Sequence, residues 1–157
     1  MAGPATAPFS FYLRPVIIRP MRGPAVIIHE LADAKAALAA AAELGLPVTL
    51  LSAPGGAAYL GAGWFDAVVR QACAAFPDVP VAAVLDCGDR ADLAQAALRQ
   101  GLKEICFHGP AGVAARLVDI ARQQGAILHR RRPPALDLFG VTDRLAACRA
   151  WLAEQTH

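Results

Sequence analysis

The chain has 157 residues, 56% of them apolar and 18% charged, with a formal net charge of +2. That length and apolar content suit one domain with a hydrophobic core and exclude a disordered chain. A charge so near neutral gives no ground for a nucleic-acid or membrane partner.

Residues 1–24 hold Pro4, Pro8, Pro15, Pro20 and Pro24 and read as an irregular arm with one short strand-like piece at 16–18. Regular alternation follows. AVIIH (25–29) is a β-branched run of the kind found in buried strands. ELADAKAALAAAAEL (30–44) is a helix with Leu31, Ala34, Leu38, Ala41 and Ala42 on one face, stopped by Gly45 and Pro47. PVTLL (47–51) is the second strand, SAPGGAAYLGAG a Gly-rich loop, and WFDAVVRQACAAF (64–76) a helix with Phe65, Val68, Val69, Ala72, Cys73 and Phe76 inward.

VPVAAVL (79–85) is the third strand. The next helix, capped by Asp89, runs to about Gln100 and ends at Gly101. KEICF (103–107) is the fourth strand, GVAARLVDIARQQ (112–124) a helix ended by Gly125, and AILH (126–129) the fifth strand. Residues 130–141, beginning RRRPP, read as a linker. Residues 142–157 form a last amphipathic helix with Thr142 as cap, its Leu145, Cys148, Trp151 and Leu152 making a packing face for this chain or another copy.

Alternation of strand and helix predicts an α/β fold with a parallel sheet and right-handed crossovers. Two architectures fit: half of a (β/α)8 barrel, with about five strands plus a C-terminal helix over 25–129 and 142–157, or an open doubly wound sheet. A whole barrel takes about 250 residues. Cys73, Cys87, Cys106 and Cys148 form no CxxC pair, which points to reduced thiols and a cytoplasmic protein. The first residues lack the basic and apolar regions of a secretory signal, and no stretch is apolar enough to span a bilayer.

Ligands of parallel sheets sit at the strand C-terminal ends. There the sequence places His29, Ser52 with the PGG turn, Asp86-Cys87, His108 and His129. Imidazole and thiolate are ligands of zinc and other transition metals. His29, Cys87, His108 and His129 are therefore a candidate metal set, with Asp86 as base or as a partner orienting the ligands from behind. The competing reading is that polar side chains simply close the strands. The turn Ser52-Ala-Pro-Gly55-Gly56 could offer backbone N–H groups to an anion, or be a tight connection that needs glycine for its dihedrals. HRRRPP (129–134) could bind phosphate or nucleic acid, but it has no aromatic platform beside it and the overall charge is small, so it reads as a solvated linker.

Several motifs together resemble one family. Leu46-Pro47-Val48-Thr49-Leu50 is similar to a family strand of the type SPVIL. Ser52, Gly55, Gly56 and Tyr59-Leu60-Gly61 follow as its Ser, glycines and Tyr-x-Gly do. The segment from Val79 to Gly88, VPVAAVLDCG, is similar to VPVALHLDHG, and that from Gln100 to His108, QGLKEICFH, to AGF-SVMIDAS. About 100 residues thus resemble the N-terminal half of the class II, zinc-dependent fructose- and tagatose-bisphosphate aldolases.

The resemblance implies that Asp86 stands at the catalytic acid/base, Cys87 at the first zinc-ligand histidine, and Ser52 with Gly55 and Gly56 at substrate contacts. It also implies departures. His108 stands where the family has aspartate, and Ile127-Leu128-His129-Arg130 has no acid where the family has glutamate. The later metal histidines and phosphate loops have no counterpart, so ordinary bisphosphate aldolase activity is not expected. The expected function is binding of a small carbonyl or phosphorylated ligand at the strand ends. Alternatives are a metal-assisted lyase or isomerase of carbohydrate metabolism completed across a dimer, and a catalytically dead scaffold. A sheet apolar on both faces needs cover on both; the helices cover one, and the Pro-rich arm, the final helix or a second subunit must close the other, which predicts a homodimer whose inner sheet faces or edges meet.

Overall fold

The computed structural model describes residues 23–155. The strand-like piece at 16–18 and the rest of 1–22 lie outside the described residues, as do 156–157. The elements in chain order are β1 (Ala25–Ile27), α1 (Leu31–Leu44), β2 (Val48–Leu51), α2 (Ala62–Ala75), β3 (Val81–Asp86), α3 (Ala91–Arg99), β4 (Glu104–Cys106), α4 (Ala111–Gln123), β5 (Ile127–His129), β6 (Ala135–Asp137) and α5 (Arg144–Glu154). A short 3-10 turn, Gly56–Ala58, lies between β2 and α2. No helix among the described residues is long and apolar enough to cross a membrane.

All strand pairs are parallel, in the order β5-β4-β3-β2-β1-β6. Period-two alternation divides the strand side chains between two faces. Val26, Ile28, Val48, Leu50, Val81, Ala83, Leu85, Ile105 and Phe107 pack with the helices in the main core. Ala25, Ile27, Leu51, Val84 and Cys106 form a second buried cluster on the opposite face, joined by Ala135.

One connection sets the curvature of the sheet. β5 and β6 lie at opposite edges, yet only residues 130–134 join them. The six Cα steps from His129 to Ala135 reach at most about 22 Å. Five strand spacings laid flat would come to about 24 Å, and β6 must also start near the strand N-terminal level, where Ala135 pairs with Ala25. The sheet therefore curls as a partial barrel, and the connection crosses its concave face. There Cys106 Sγ lies 3.8 Å from the Arg131 carbonyl oxygen and Arg132 turns to the end of β3.

Three local expectations are corrected. Ala135–Asp137, inside the segment read as a linker, is the sixth strand. The N-cap of α3 is Arg90, not Asp89; it makes no side-chain cap bond and instead binds Asp92 at 2.8 and 3.0 Å. The cap of α5 is Asp143, not Thr142, and its carboxylate accepts the Ala146 N–H at 3.0 Å. The packing face of α5 is used within this chain. Cys148 and Leu152 are fully buried in the main core, and Trp151 Nε1 donates to the Ala25 carbonyl at 2.9 Å. The last helix therefore lies on the helix side and does not cover the concave face.

Candidate functional site

The site is built outward from Asp86, the last residue of β3, whose side chain is 1% exposed. Its backbone N–H donates to Ser52 Oγ at 2.8 Å, and that hydroxyl donates onward to the Ala53 carbonyl at 3.1 Å. Ser52 thus ties the ends of β2 and β3 together and fixes where the carboxylate emerges. Asp86 Oδ1 accepts the Gly88 N–H at 2.7 Å. Asp86 Oδ2 accepts Arg132 Nη1 at 2.7 Å and faces His108 Nε2 at 3.3 Å. Arg132 Nη1 also donates to the Ser52 carbonyl at 3.0 Å.

Burial alone would raise the Asp86 carboxyl. The Arg132 guanidinium, the Gly88 N–H and His108 outweigh it and hold the group below the ordinary carboxylate range. Asp86 is therefore a fixed anion with both oxygens engaged. His108 is held in place from two sides: its backbone N–H donates to the Gly88 carbonyl at 2.7 Å, and its Nδ1 lies 3.2 Å from the Arg130 carbonyl oxygen. Arg130 Nη2 donates to the Gly109 carbonyl at 2.8 Å, and its guanidinium lies 5.9 Å from the Phe107 ring centre.

The other candidate residues stand apart from this cluster. His29 Nε2 lies 2.6 Å from Asp137 Oδ1 on β6, with its ring edge-on to the exposed Phe139. Its backbone N–H donates to Asp33, which is buried and paired with Arg144. His129 Nε2 lies 2.7 Å from Glu104 Oε1 on the concave face. Cys87 is 1% exposed and belongs to the helix-side core, with its Sγ 3.9 Å from the Leu85 carbonyl oxygen. Burial and the neighbouring Asp86 push its thiol up to about 12.

The four candidate metal ligands are thus not brought together. Three imidazoles each face a carboxylate of their own, and the thiol is turned to the opposite side of the sheet. No group of three or more His, Cys, Asp or Glu side chains able to hold a metal occurs among the described residues. Residues 1–22 contain none of these residue types, and His157 lies outside the described residues. The donor set does not fit a zinc ion, whose protein ligands must converge within about 2.3 Å of one point.

Four N–H groups of the Gly-rich turn donate within it. The N–H groups of Gly56, Ala58, Tyr59 and Leu60 donate to the carbonyls of Ala53, Gly55, Gly56 and Gly56 respectively. Gly55 is left-handed at φ 65°, and a Cβ on Gly56 would stand 2.9 Å from Ser52 Cβ and Oγ. These glycines let the turn pass Ser52 closely. Ser52→Ala removes the only side-chain acceptor of a buried N–H and is expected to cost about 1–3 kcal/mol, read as a lower urea midpoint with an unchanged slope.

Arg132 is the site residue that sequence reading missed. RRRPP reads as solvated because no aromatic platform accompanies it and the overall charge is small. The signal that could have found it is the apolar alternation of ALDLF (135–139), which marks a strand start and so forces the preceding residues across the sheet. Glu104, facing His129 from within buried β4, carries a signal of its own in the sequence, since a charge inside a buried strand is informative in itself.

A curved parallel sheet with helices on its convex face and polar side chains at its strand ends defines a TIM-like partial barrel. The family described as fructose-bisphosphate aldolase class-II matches residues 21–127, and the chain belongs to it. Among solved structures, the chain is similar to a candidate fructose-1,6-bisphosphate aldolase from Coccidioides immitis, at 20% identity and a TM-score of 0.57. That match covers 68% of this chain and 39% of the other, so the chain spans about two fifths of that protein's length. None of the curated proteins matches the chain.

Proposed function

We propose that this chain is an aldolase-family half-barrel that binds a small carbonyl or phosphorylated ligand at its strand C-terminal ends and lacks ordinary bisphosphate aldolase activity. The observation that carries this reading is the Asp86–Arg132–His108 cluster. It sets a guanidinium at the ligand-binding end of a parallel sheet, with Nη1 committed to protein acceptors. Arg132 Nε and Nη2 have no partner among the described residues and are not buried polar atoms left over, so both reach solvent. Asp86, held ionised by Arg132 and the Gly88 N–H and faced by His108, is poorly suited to shuttle protons.

The reading is tested by thermal unfolding with glyceraldehyde 3-phosphate, inorganic phosphate and pyruvate, alongside a fructose 1,6-bisphosphate cleavage assay. A probe at about 100 times its Kd stabilises by about 2.7 kcal/mol, and at least one of the three is expected to do so. Cleavage is expected to stay at the blank. Cleavage abolished by Asp86→Asn, or no stabilisation by any probe, would contradict the reading.

We also propose a homodimer that meets along the sheet edges or concave faces. Support comes from β5, an edge strand whose Ile127 and Leu128 are half-buried and which has no outer strand partner among the described residues. Light scattering at micromolar concentration is expected to give twice the mass of one chain. A cytoplasmic location is supported by the four free, buried thiols.

A further inference from the structure

We propose that Arg132 takes the place of a metal ion as the cation of this site, and that it anchors a small carbonyl compound carrying a single carboxylate in preference to a phosphate. The inference rests on the ligand-binding reading above and adds the anchor and the ligand class.

Two observations place the cation. Arg132 Nη1 lies 2.7 Å from Asp86 Oδ2, and the four residues with ligand chemistry do not converge. Arg132 comes from the short segment that crosses the concave face and is 19% exposed. Its position is fixed by the Ser52 carbonyl as well as by Asp86. Such a guanidinium is already oriented, so little conformational freedom is lost when a ligand arrives.

Three observations select the ligand. Nη1 is used, which leaves Nε–H and one Nη2–H on the same edge of the guanidinium. Two parallel N–H groups match the two oxygens of a planar carboxylate. The nearby carboxylate of Asp86 already offsets the charge of Arg132, so a phosphate dianion would meet repulsion that a monoanion meets less. Finally, four N–H groups of the turn after β2, those of Gly56, Ala58, Tyr59 and Leu60, donate within the turn and are not offered to a phosphate.

The test is calorimetric titration of the full chain with pyruvate and with inorganic phosphate, each with and without EDTA. Pyruvate is expected to bind at least tenfold more tightly than phosphate, with no effect of EDTA. Arg132→Gln is expected to weaken pyruvate by tenfold or more, and Arg132→Lys by less. Because Arg132→Gln leaves Asp86 buried without its partner, the double variant Asp86→Asn/Arg132→Gln is measured too. It removes both charges, is expected to keep the native amide spectrum, and should not bind pyruvate. Pyruvate binding unchanged in the variants, loss of binding in EDTA, or tighter binding of phosphate would each overturn the inference while leaving the ligand-binding reading standing. No binding of either anion to the native chain would overturn this inference, leaving glyceraldehyde 3-phosphate to decide the broader reading.

Discussion

Asp86→Asn is expected to cost about 3–5 kcal/mol at neutral pH, the range for removing one partner of a buried ion pair. Asp86 is buried and Arg132 nearly so, and the amide cannot repay the guanidinium with a charge. Against a total stability of about 5–15 kcal/mol, this is among the largest single-residue losses in the molecule. The effect has a pH signature. The folded-state value of Asp86 lies below its ordinary 3.8, so the unfolded chain binds the proton first as pH falls. The contribution is therefore fully present above about pH 5 and is lost as pH drops through 3.8 toward the folded value. Urea midpoints of the native chain and Asp86→Asn should differ by a constant amount from pH 5 to 7 and converge below pH 4. A gap that widens in acid would show that Asp86 is not held ionised.

Cys87→His is the second large effect. It restores the histidine to which the family resemblance assigns metal binding, and the structure predicts damage instead of rescue. Cys87 packs in the helix-side core with Leu85 and Phe107. An imidazole there overfills the core and carries polar atoms without partners, together about 2–5 kcal/mol. Denaturation should show that loss, and zinc should not recover it. A Cys87→Ser variant, similar in size, separates the polarity part from the overpacking part.

The strands and helices were largely legible because each β–α unit is punctuated. Gly45, Gly101 and Gly125 close helices, and apolar runs of four to six residues mark the strands. What escaped has physical causes. Strands of a parallel sheet are buried on both faces, so alternation in VPVAAVLDC does not reveal which side faces the helices. Asp86 and Cys87 therefore read as neighbours in one site, although consecutive strand residues point to opposite faces. β6 escaped because its three residues follow RRRPP, and a three-residue strand owes its existence to pairing with β1, not to its own pattern.

The same limit applies to the candidate site. Polar residues at strand ends were correctly placed along the chain, but convergence depends on curvature and on which carboxylate lies opposite each imidazole. Asp137 and Glu104 stand opposite His29 and His129, and neither pairing can be seen in local sequence. Arg132 reaches Asp86 across 46 positions, through a crossover whose path follows from strand order alone.

The central claim is that a guanidinium, not a metal, faces Asp86 in this aldolase-family fold. Thermal unfolding of the EDTA-treated chain with increasing zinc tests it most directly. A site of micromolar affinity would raise stability by about 2.7 kcal/mol at 100 times its Kd. An unfolding temperature unchanged by zinc is expected in the native chain and in His108→Ala alike. A saturable rise at one equivalent of zinc, lost in His108→Ala, would contradict the claim.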